Sequence, residues 1–157
     1  MDVMINRRVV REVVLQGLYA LEVGQNPPSE IRTHILKEKV GEDREALKFA
    51  EKLFLRTIDM KDELDVMIED QIRNWEIHRL AVIDKLILRI ALCEFLRFDD
   101  IPIKVTINEA IEMAKDYSTQ KSGKFVNGIL DAALEELKAE GRIEKRGRGL
   151  IETPRKT

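Results

Sequence analysis

Residues 79–96 read RLAVIDKLILRIALCEFL, and this stretch decides the fold. On a helix of 3.6 residues per turn its apolar side chains occupy nearly every side, which is typical of a helix enclosed by others. We therefore predict a central helix in an all-α protein. The least apolar stripe of that helix fits either a partner-binding face or another packed helix, and packing is the simpler interpretation. The stripe contains Asp84, Lys85, Leu88, Arg89, Leu92 and Leu96.

The segments before this stretch also predict helices. The chain has only four prolines and eight glycines in 157 residues, and its apolar residues recur at spacings of three and four. Asn6 is a good N-cap for a first helix that ends at Gly24. Ser29 is expected to cap a short second helix, and two further helices are expected to meet at a bend near Asp59.

Downstream of the central helix, the pattern predicts two more helices and a basic tail. Thr106, with a glutamate three residues on, forms a capping box for the first of these helices. Residues 118–123 are expected to form a polar loop, and the last helix is expected to begin near Phe125. We divide the chain into a helical domain over residues 1–140 and a basic, disordered tail over residues 141–157.

The composition indicates a globular protein with a mildly acidic net charge. Hydrophobic residues make up 44% and charged residues 36%, and 27 Lys+Arg against 29 Asp+Glu give a formal net charge of −2. Any nucleic-acid site must therefore be a local basic patch. The single cysteine, Cys93, excludes an intramolecular disulfide and fits a reducing compartment. Neither a signal peptide nor a long apolar run is present, so we expect a cytoplasmic protein without membrane contact.

Residues able to support catalysis are scarce and isolated. Neither His34 nor His78 has a second histidine or cysteine at ligand spacing, which argues against a metal site. Residues 121–124 faintly resemble a phosphate-binding loop, but the pattern fails at two positions. Cys93 falls in the apolar central helix, where a buried, inert thiol is expected. We predict a protein that is not an enzyme and needs no cofactor.

The outward side of the first helix is a candidate binding surface. At 100° per residue, the core face collects Val10, Val13, Val14, Gly17 and Leu21. The opposite face collects Arg8, Glu12, Leu15, Gln16 and Tyr19, with Arg7 and Arg11 on its flank. Arginines followed by an outward tyrosine supply phosphate contacts and a stacking platform, the pairing used for single-stranded RNA. A solvated helix end explains the spacing equally well, although arginine at a helix N-terminus opposes the helix dipole and favours an anionic partner.

A second candidate surface lies at the start of the last helix. Lys121 and Lys124 stand beside the predicted helix N-terminus, where backbone N–H groups can bind an anion. Phe125 falls at the edge of the apolar arc of that helix. It is therefore either a core residue or an exposed ring beside the two lysines.

Several stretches along residues 7–135 resemble the NusB family of bacterial transcription antitermination factors. The first helix carries RRVVREVVLQGLY over residues 7–19, and the central helix carries DKLILRIAL over residues 84–92. Residues 101–115 read IPIKVTINEAIEMAK, and residues 124–131 read KFVNGILD. The order and spacing of these stretches match the family pattern.

The resemblance implies a single compact domain of about seven helices in two subdomains, and a function without catalysis. Members of the family bind the boxA element of nascent ribosomal RNA together with NusE, a small-subunit ribosomal protein, in an antitermination complex on RNA polymerase. By position, the resemblance implies RNA contacts from Arg7, Arg8, Arg11, Gln16, Tyr19, Arg89, Lys121, Lys124 and Phe125. It also implies that Glu76, Asp84 and Lys85 face NusE.

Two other interpretations stay open at this point. NusB-like domains also occur at the N-terminus of certain ribosomal-RNA cytosine methyltransferases, where they help to dock RNA. That interpretation needs a catalytic domain downstream, and the sequence ends at Thr157, so we expect the antitermination factor instead. The other is a homo-oligomeric helical scaffold, since the residues leave the oligomeric state open and a homodimer is compatible with them.

Overall fold

The all-α prediction is confirmed by a computed structural model, which describes residues 6–72 and 80–151. These residues form seven helices and contain no strand. The second helix has three consecutive parts, of which the middle one is π-helical. The helices are α1 (Arg7–Glu22), α2 (Pro28–Ile31, Arg32–Lys37 and Glu38–Val40), α3 (Arg44–Asp59), α4 (Lys61–Gln71), α5 (Val82–Arg97), α6 (Ile103–Tyr117) and α7 (Gln120–Ala139), with a 3₁₀ turn at Gly147–Leu150.

The chain divides into two compact units, as the family resemblance implies. The N-terminal unit covers residues 1–59 and contains α1, α2 and α3. The C-terminal unit covers residues 60–157 and contains α4 to α7. The predicted division into two helices near Asp59 is confirmed, because α3 ends at this residue and α4 begins at Lys61.

Within the N-terminal unit, α1 packs closely against its neighbours. The Asn6 carboxamide oxygen accepts a hydrogen bond from the Val9 N–H at 3.0 Å, which confirms the predicted N-cap. A Cβ added to Gly17 would lie 3.1 Å from Ile31 Cγ2. Leu15 was predicted to face outward, and this is wrong, since only 1% of it is exposed. Because α1 contacts both α2 and α3, its buried arc is wider than one apolar stripe indicates.

The start of α2 differs from the prediction. Pro27 occupies the N-cap position and Pro28 begins the helix, so Ser29 lies inside the first turn and does not cap it. Proline suits this position because its fixed φ is already helical and its missing N–H would have had no partner in the helix. At the other end, Gly41 has a φ of 78°, which glycine adopts without steric cost.

In the C-terminal unit, α5 is the central helix that the sequence predicts. It contacts α4, α6 and α7, and Leu88 and Leu92 on its least apolar stripe are fully buried. The stripe therefore serves mainly for packing. The predicted capping box at Thr106 is wrong, because α6 begins at Ile103, directly after Pro102. Thr106 lies inside the helix, and its hydroxyl donates to the buried Glu94 carboxylate at 2.9 Å.

The segment 118–123 was expected to be a loop, but most of it belongs to α7. Thr119 is the N-cap, and its hydroxyl oxygen accepts a hydrogen bond from the Ser122 N–H at 3.2 Å. The first turn of α7 therefore contains Lys121. None of the helices in the described ranges is long and apolar enough to cross a membrane.

The basic segment after α7 is packed over residues 141–151, which differs from the predicted disordered tail. The Lys145 ammonium donates to the carbonyl oxygens of Glu94 and Phe98 at 3.1 and 2.7 Å, at the C-terminal end of α5. Burial lowers the pKa of Lys145, although nearby carboxylates, Glu94 first, oppose this shift. These two hydrogen bonds hold the segment at the C-terminal end of α5, where the helix dipole favours a positive charge. Residues 152–157 lie outside the described residues.

Candidate nucleic-acid interface

The arginines at the start of α1 differ in exposure. Arg7 and Arg8 are exposed, whereas Arg11 is only 2% exposed. The ring of Phe49, on α3, lies beneath two of them: the Arg7 Cζ is 4.4 Å from the ring centroid and the Arg11 Cζ is 5.5 Å from it. The first turn of α1 contains no acidic residue. The exposed arginines therefore place positive charge at the end of a helix where the dipole already favours an anion.

Further along α1, an aromatic side chain is exposed on the side of Arg8. Tyr19 is 43% exposed and follows Arg8 by eleven residues, which returns to nearly the same side of a helix after three turns. Gln16 is half-buried, and its side-chain oxygen accepts a hydrogen bond from the Lys39 ammonium on α2. This unit thus presents two exposed arginines and an exposed ring on one helix, which are the chemical requirements for contacting phosphates and stacking a base.

The start of α7 provides a basic and aromatic cluster on the C-terminal unit. Lys121 and Lys124 are exposed, and Phe125 is half-buried. The buried Ser122 hydroxyl between them donates to the Asp84 carboxylate at 3.0 Å. Asp84, predicted to face NusE, is itself only 7% exposed. This aspartate holds the first turn of α7 against the first turn of α5. The backbone that carries Lys121 and Lys124 is therefore fixed in position.

Arg89 occupies a different environment from the exposed lysines. Its guanidinium is bound by both oxygens of Asp65 on α4, with Nε–Oδ1 and Nη2–Oδ2 distances of 2.6 and 2.9 Å. The arginine is 5% exposed. A two-point pair of this kind fixes the plane of the guanidinium. Little of Arg89 is left to meet a phosphate, and the same is true of the buried Arg11.

The remaining candidate residues from the sequence do not add to either basic cluster. Lys85 is half-buried on α5, and Glu76 lies outside the described residues. No three His, Cys, Asp or Glu side chains within the described parts of the chain form a group that could hold a metal ion. His34 is exposed and lies 3.8 Å from a carboxylate oxygen of Glu38, and Cys93 is fully buried.

Phe49 and Asp65 are the site residues that the sequence pattern does not reveal. Phe49 is one of many apolar residues that recur at helical spacing in this region, so spacing gives no sign of its contact with arginines. Asp65 is separated from Arg89 by 24 residues on another helix, and many acidic residues are equally distant in sequence. An aromatic residue on a helix opposite an arginine-rich helix is the one pattern that could have indicated the first of these contacts.

Comparison with known proteins assigns the chain to a family. A model of the NusB family matches residues 8–135. The chain belongs to the NusB family. The transcription antitermination protein NusB of Chloroherpeton thalassium is 47% identical to it over 152 residues, which is 97% of this chain and 72% of that protein. The NusB of Salinibacter ruber is 45% identical over 148 residues, which is 94% of this chain and 92% of that protein.

Solved NusB structures have the same fold. NusB from T. maritima superimposes with a TM-score of 0.79 at 38% identity, covering 85% of this chain and 94% of that one. A crystal structure of the antitermination factors NusB and NusE in complex with dsRNA superimposes with a TM-score of 0.75 at 25% identity, covering 83% of this chain and 96% of that one. The seven-helix architecture described above is therefore the NusB fold.

Proposed function

We propose that this NusB-family chain is a transcription antitermination factor that binds boxA RNA in nascent ribosomal transcripts together with NusE. Its place of action would be the cytoplasm, in a complex on RNA polymerase. The observation that carries the proposal is the pair of exposed basic and aromatic clusters on a chain whose net charge is −2. The similar structure of NusB and NusE with dsRNA supports both partners.

The two clusters suggest how RNA would be bound. Arg7 and Arg8 on α1, and Lys121 and Lys124 on α7, would neutralise phosphates and release counterions. Tyr19 would stack on a base, because its ring is exposed on the same side of α1 as Arg8. No chemical step is required of the chain, since phosphate contacts and stacking are sufficient to hold an RNA strand.

Burial narrows the set of direct contacts. Arg11 and Arg89 are 2% and 5% exposed, so we assign them to supporting the fold of their units and not to contacting phosphate. Gln16 and Phe125 remain proposed RNA contacts, but each is half-buried and offers less surface than the exposed residues do.

The NusE-binding side is proposed from fewer residues. Asp84 is only 7% exposed and its Oδ2 accepts a hydrogen bond from the Ser122 hydroxyl, so little of it is accessible for a direct contact with NusE. Lys85, half-buried on the next position of α5, is the better candidate on this helix. The proposed arrangement has RNA and NusE bound together, each raising the affinity for the other by the same factor.

Fluorescence anisotropy of a labelled boxA-type RNA tests the proposal directly. The protein is titrated with and without NusE, alongside a scrambled single strand and a duplex of the same length. A preference for boxA that grows with NusE is expected. Equal, weak binding to all three RNAs in both conditions would refute the proposed function.

Charge variants then locate the contacts. Lys121→Gln and Lys124→Gln are each expected to flatten the slope of log K against log salt by about 0.7, the value for one phosphate on a single strand. Lys138→Gln, an exposed lysine at the other end of the same helix, is the matched control and should leave the slope unchanged.

A further inference from the structure

The outward face of α3 carries cationic side chains at a regular spacing. Arg44, Lys48, Lys52 and Arg56 follow one another at intervals of four residues, and all four are exposed. Successive members are therefore about 6 Å apart along the helix axis, and the set spans about 18 Å. Each step turns about 40° beyond a full turn, so the side chains keep to about one third of the helix circumference. We call these residues the basic row of α3.

A row of one sign differs from the usual solvated face of a helix. Such faces alternate acidic and basic residues, which pair at spacings of three and four, whereas like charges four residues apart weaken the helix. No described residue forms an ion pair or a hydrogen bond with the side chains of Arg44, Lys48 or Arg56. The exposed acidic residues of α3, Glu45 and Asp59, lie at its two ends. The three side chains therefore keep their positive charge available to a ligand.

The basic row lies beside the part of α1 to which RNA contacts are assigned. Helices α1 and α3 pack against each other within the N-terminal unit. Phe49 directly follows Lys48 in α3, and the Arg7 Cζ lies 4.4 Å from the centroid of its ring. A strand that meets the start of α1 can therefore continue along the outward face of α3 without leaving this unit. This position favours RNA over an acidic protein as the anion that the row binds.

We propose that the basic row of α3 binds the phosphates of RNA nucleotides that flank boxA, without reading their sequence. This inference rests on the proposed function, since it extends the same RNA path. Cations about 6 Å apart are close to the separation of neighbouring phosphates in an extended single strand. Side chains that contact only phosphates add affinity by counterion release and give no base preference. The contacts are assigned to Arg44, Lys48 and Arg56.

The length of the RNA separates the basic row from the boxA site. One RNA contains boxA alone, and two others carry in addition about ten uridines on its 5′ or its 3′ side, enough to pass along the row. For at least one extended RNA, the slope of log K against log salt should be steeper than for boxA alone by about 2, the value for three phosphates on a single strand. Fluorescence anisotropy without NusE measures each slope.

Single substitutions then locate the added contacts. Arg44→Gln, Lys48→Gln and Arg56→Gln should each flatten the slope on the extended RNA by about 0.7 and weaken its binding about fivefold at roughly 0.1 M salt. None of them should change the binding of boxA alone. Lys37→Gln, which replaces an exposed lysine on α2 of the same unit, is the matched control for net charge and should leave both slopes unchanged. Circular dichroism at the assay temperature establishes that each variant is folded.

Two results would overturn the inference while leaving the proposed function standing. One is a preference for boxA with an affinity and a salt slope that the uridine extensions do not change. The other is an equal slope on the extended RNA for the unmodified chain and all three row variants. In that case, a loss of poly-L-glutamate binding by the same variants would assign the row to an acidic protein instead. An unmodified chain that shows no preference for boxA would overturn the proposed function, and this inference with it.

Discussion

Replacing Arg89 by methionine is expected to destabilise the C-terminal unit without changing the salt dependence of RNA binding. Methionine keeps most of the apolar stem and removes the guanidinium. The family resemblance places Arg89 on the RNA face, whereas the structure pairs it with Asp65. The two roles predict different results for the same substitution, so one variant decides between them.

The size of the stability loss follows from the exposure of the pair. Exposed ion pairs contribute about 0.2–1 kcal/mol, whereas breaking a buried pair costs about 3–5 kcal/mol. The Arg89 side chain is 6% exposed and the Asp65 side chain 20%, so Asp65 keeps some access to water after the change. We expect a loss of about 2 kcal/mol, which for a chain of this length lowers the Tm by about 4–8 °C.

Urea unfolding followed by circular dichroism measures the loss, and Arg97→Met is the matched control. Arg97 is an exposed arginine of the same helix, and its side chain donates a long 3.4 Å hydrogen bond to the Leu96 carbonyl. Its loss should therefore cost less than about 0.5 kcal/mol. The double variant Arg89→Met, Asp65→Ala should be more stable than the sum of the single changes predicts, by about 1 kcal/mol or more.

The opposite pattern of results would refute this reasoning. If Arg89→Met leaves stability within about 0.5 kcal/mol of the unmodified chain and flattens the salt slope of RNA binding by about 0.7, then Arg89 contacts a phosphate in the complex. The ion pair with Asp65 would then be an arrangement of the free protein that RNA displaces.

Three further substitutions test packing and hydrogen bonds. Gly17→Ala should lower stability by about 1 kcal/mol, because crowding against Ile31 outweighs the better helix propensity of alanine, and an increase in the urea midpoint would contradict this. Thr106→Val should cost about 1–3 kcal/mol in the same assay, since it removes the hydroxyl that donates to the buried Glu94 carboxylate; a neutral result would mean that water takes its place. Lys145→Met should cost about 1–2 kcal/mol by removing two hydrogen bonds to carbonyl oxygens. Burial lowers the pKa of Lys145 from its usual 10.5, so just below pH 10.5 the unfolded chain binds more protons than the folded chain. The free energy of unfolding should therefore rise with pH in that range, and Lys145→Met should reduce this rise.

The sequence predicts where a helix begins when the start depends on a single capping residue. Asn6 caps α1 as predicted because an N-cap needs only its own side chain and an N–H three residues away. The capping box at Thr106 fails although its residues fit the pattern. Pro102, four residues earlier, already occupies the N-cap position of α6, and the threonine hydroxyl binds Glu94 on another helix instead. The pattern cannot reveal this partner, since it belongs to tertiary structure.

The candidate site was predictable in its composition but not in its exposure. On the sequence alone, Arg7 and Arg11 are equivalent arginines of one basic helix. In the structure both guanidinium groups lie near the ring of Phe49 on α3, yet Arg11 is buried and Arg7 is exposed. Period and spacing describe one helix at a time, and therefore cannot say which of its charges a neighbouring helix will cover.

The difference in exposure between these arginines changes the expected salt dependence of RNA binding. The residues implied by resemblance include six cations, and if all of them contacted phosphates of a single strand the salt slope would be about −4. The structure leaves four of them exposed, namely Arg7, Arg8, Lys121 and Lys124, and these predict a slope of about −3 in the absence of NusE. A titration of boxA RNA between 50 and 300 mM salt, roughly the range in which such slopes are measured, distinguishes the two values. A slope near −4 would show that buried arginines come to the surface when RNA binds, and would contradict the division between contacting and supporting residues made from the free protein.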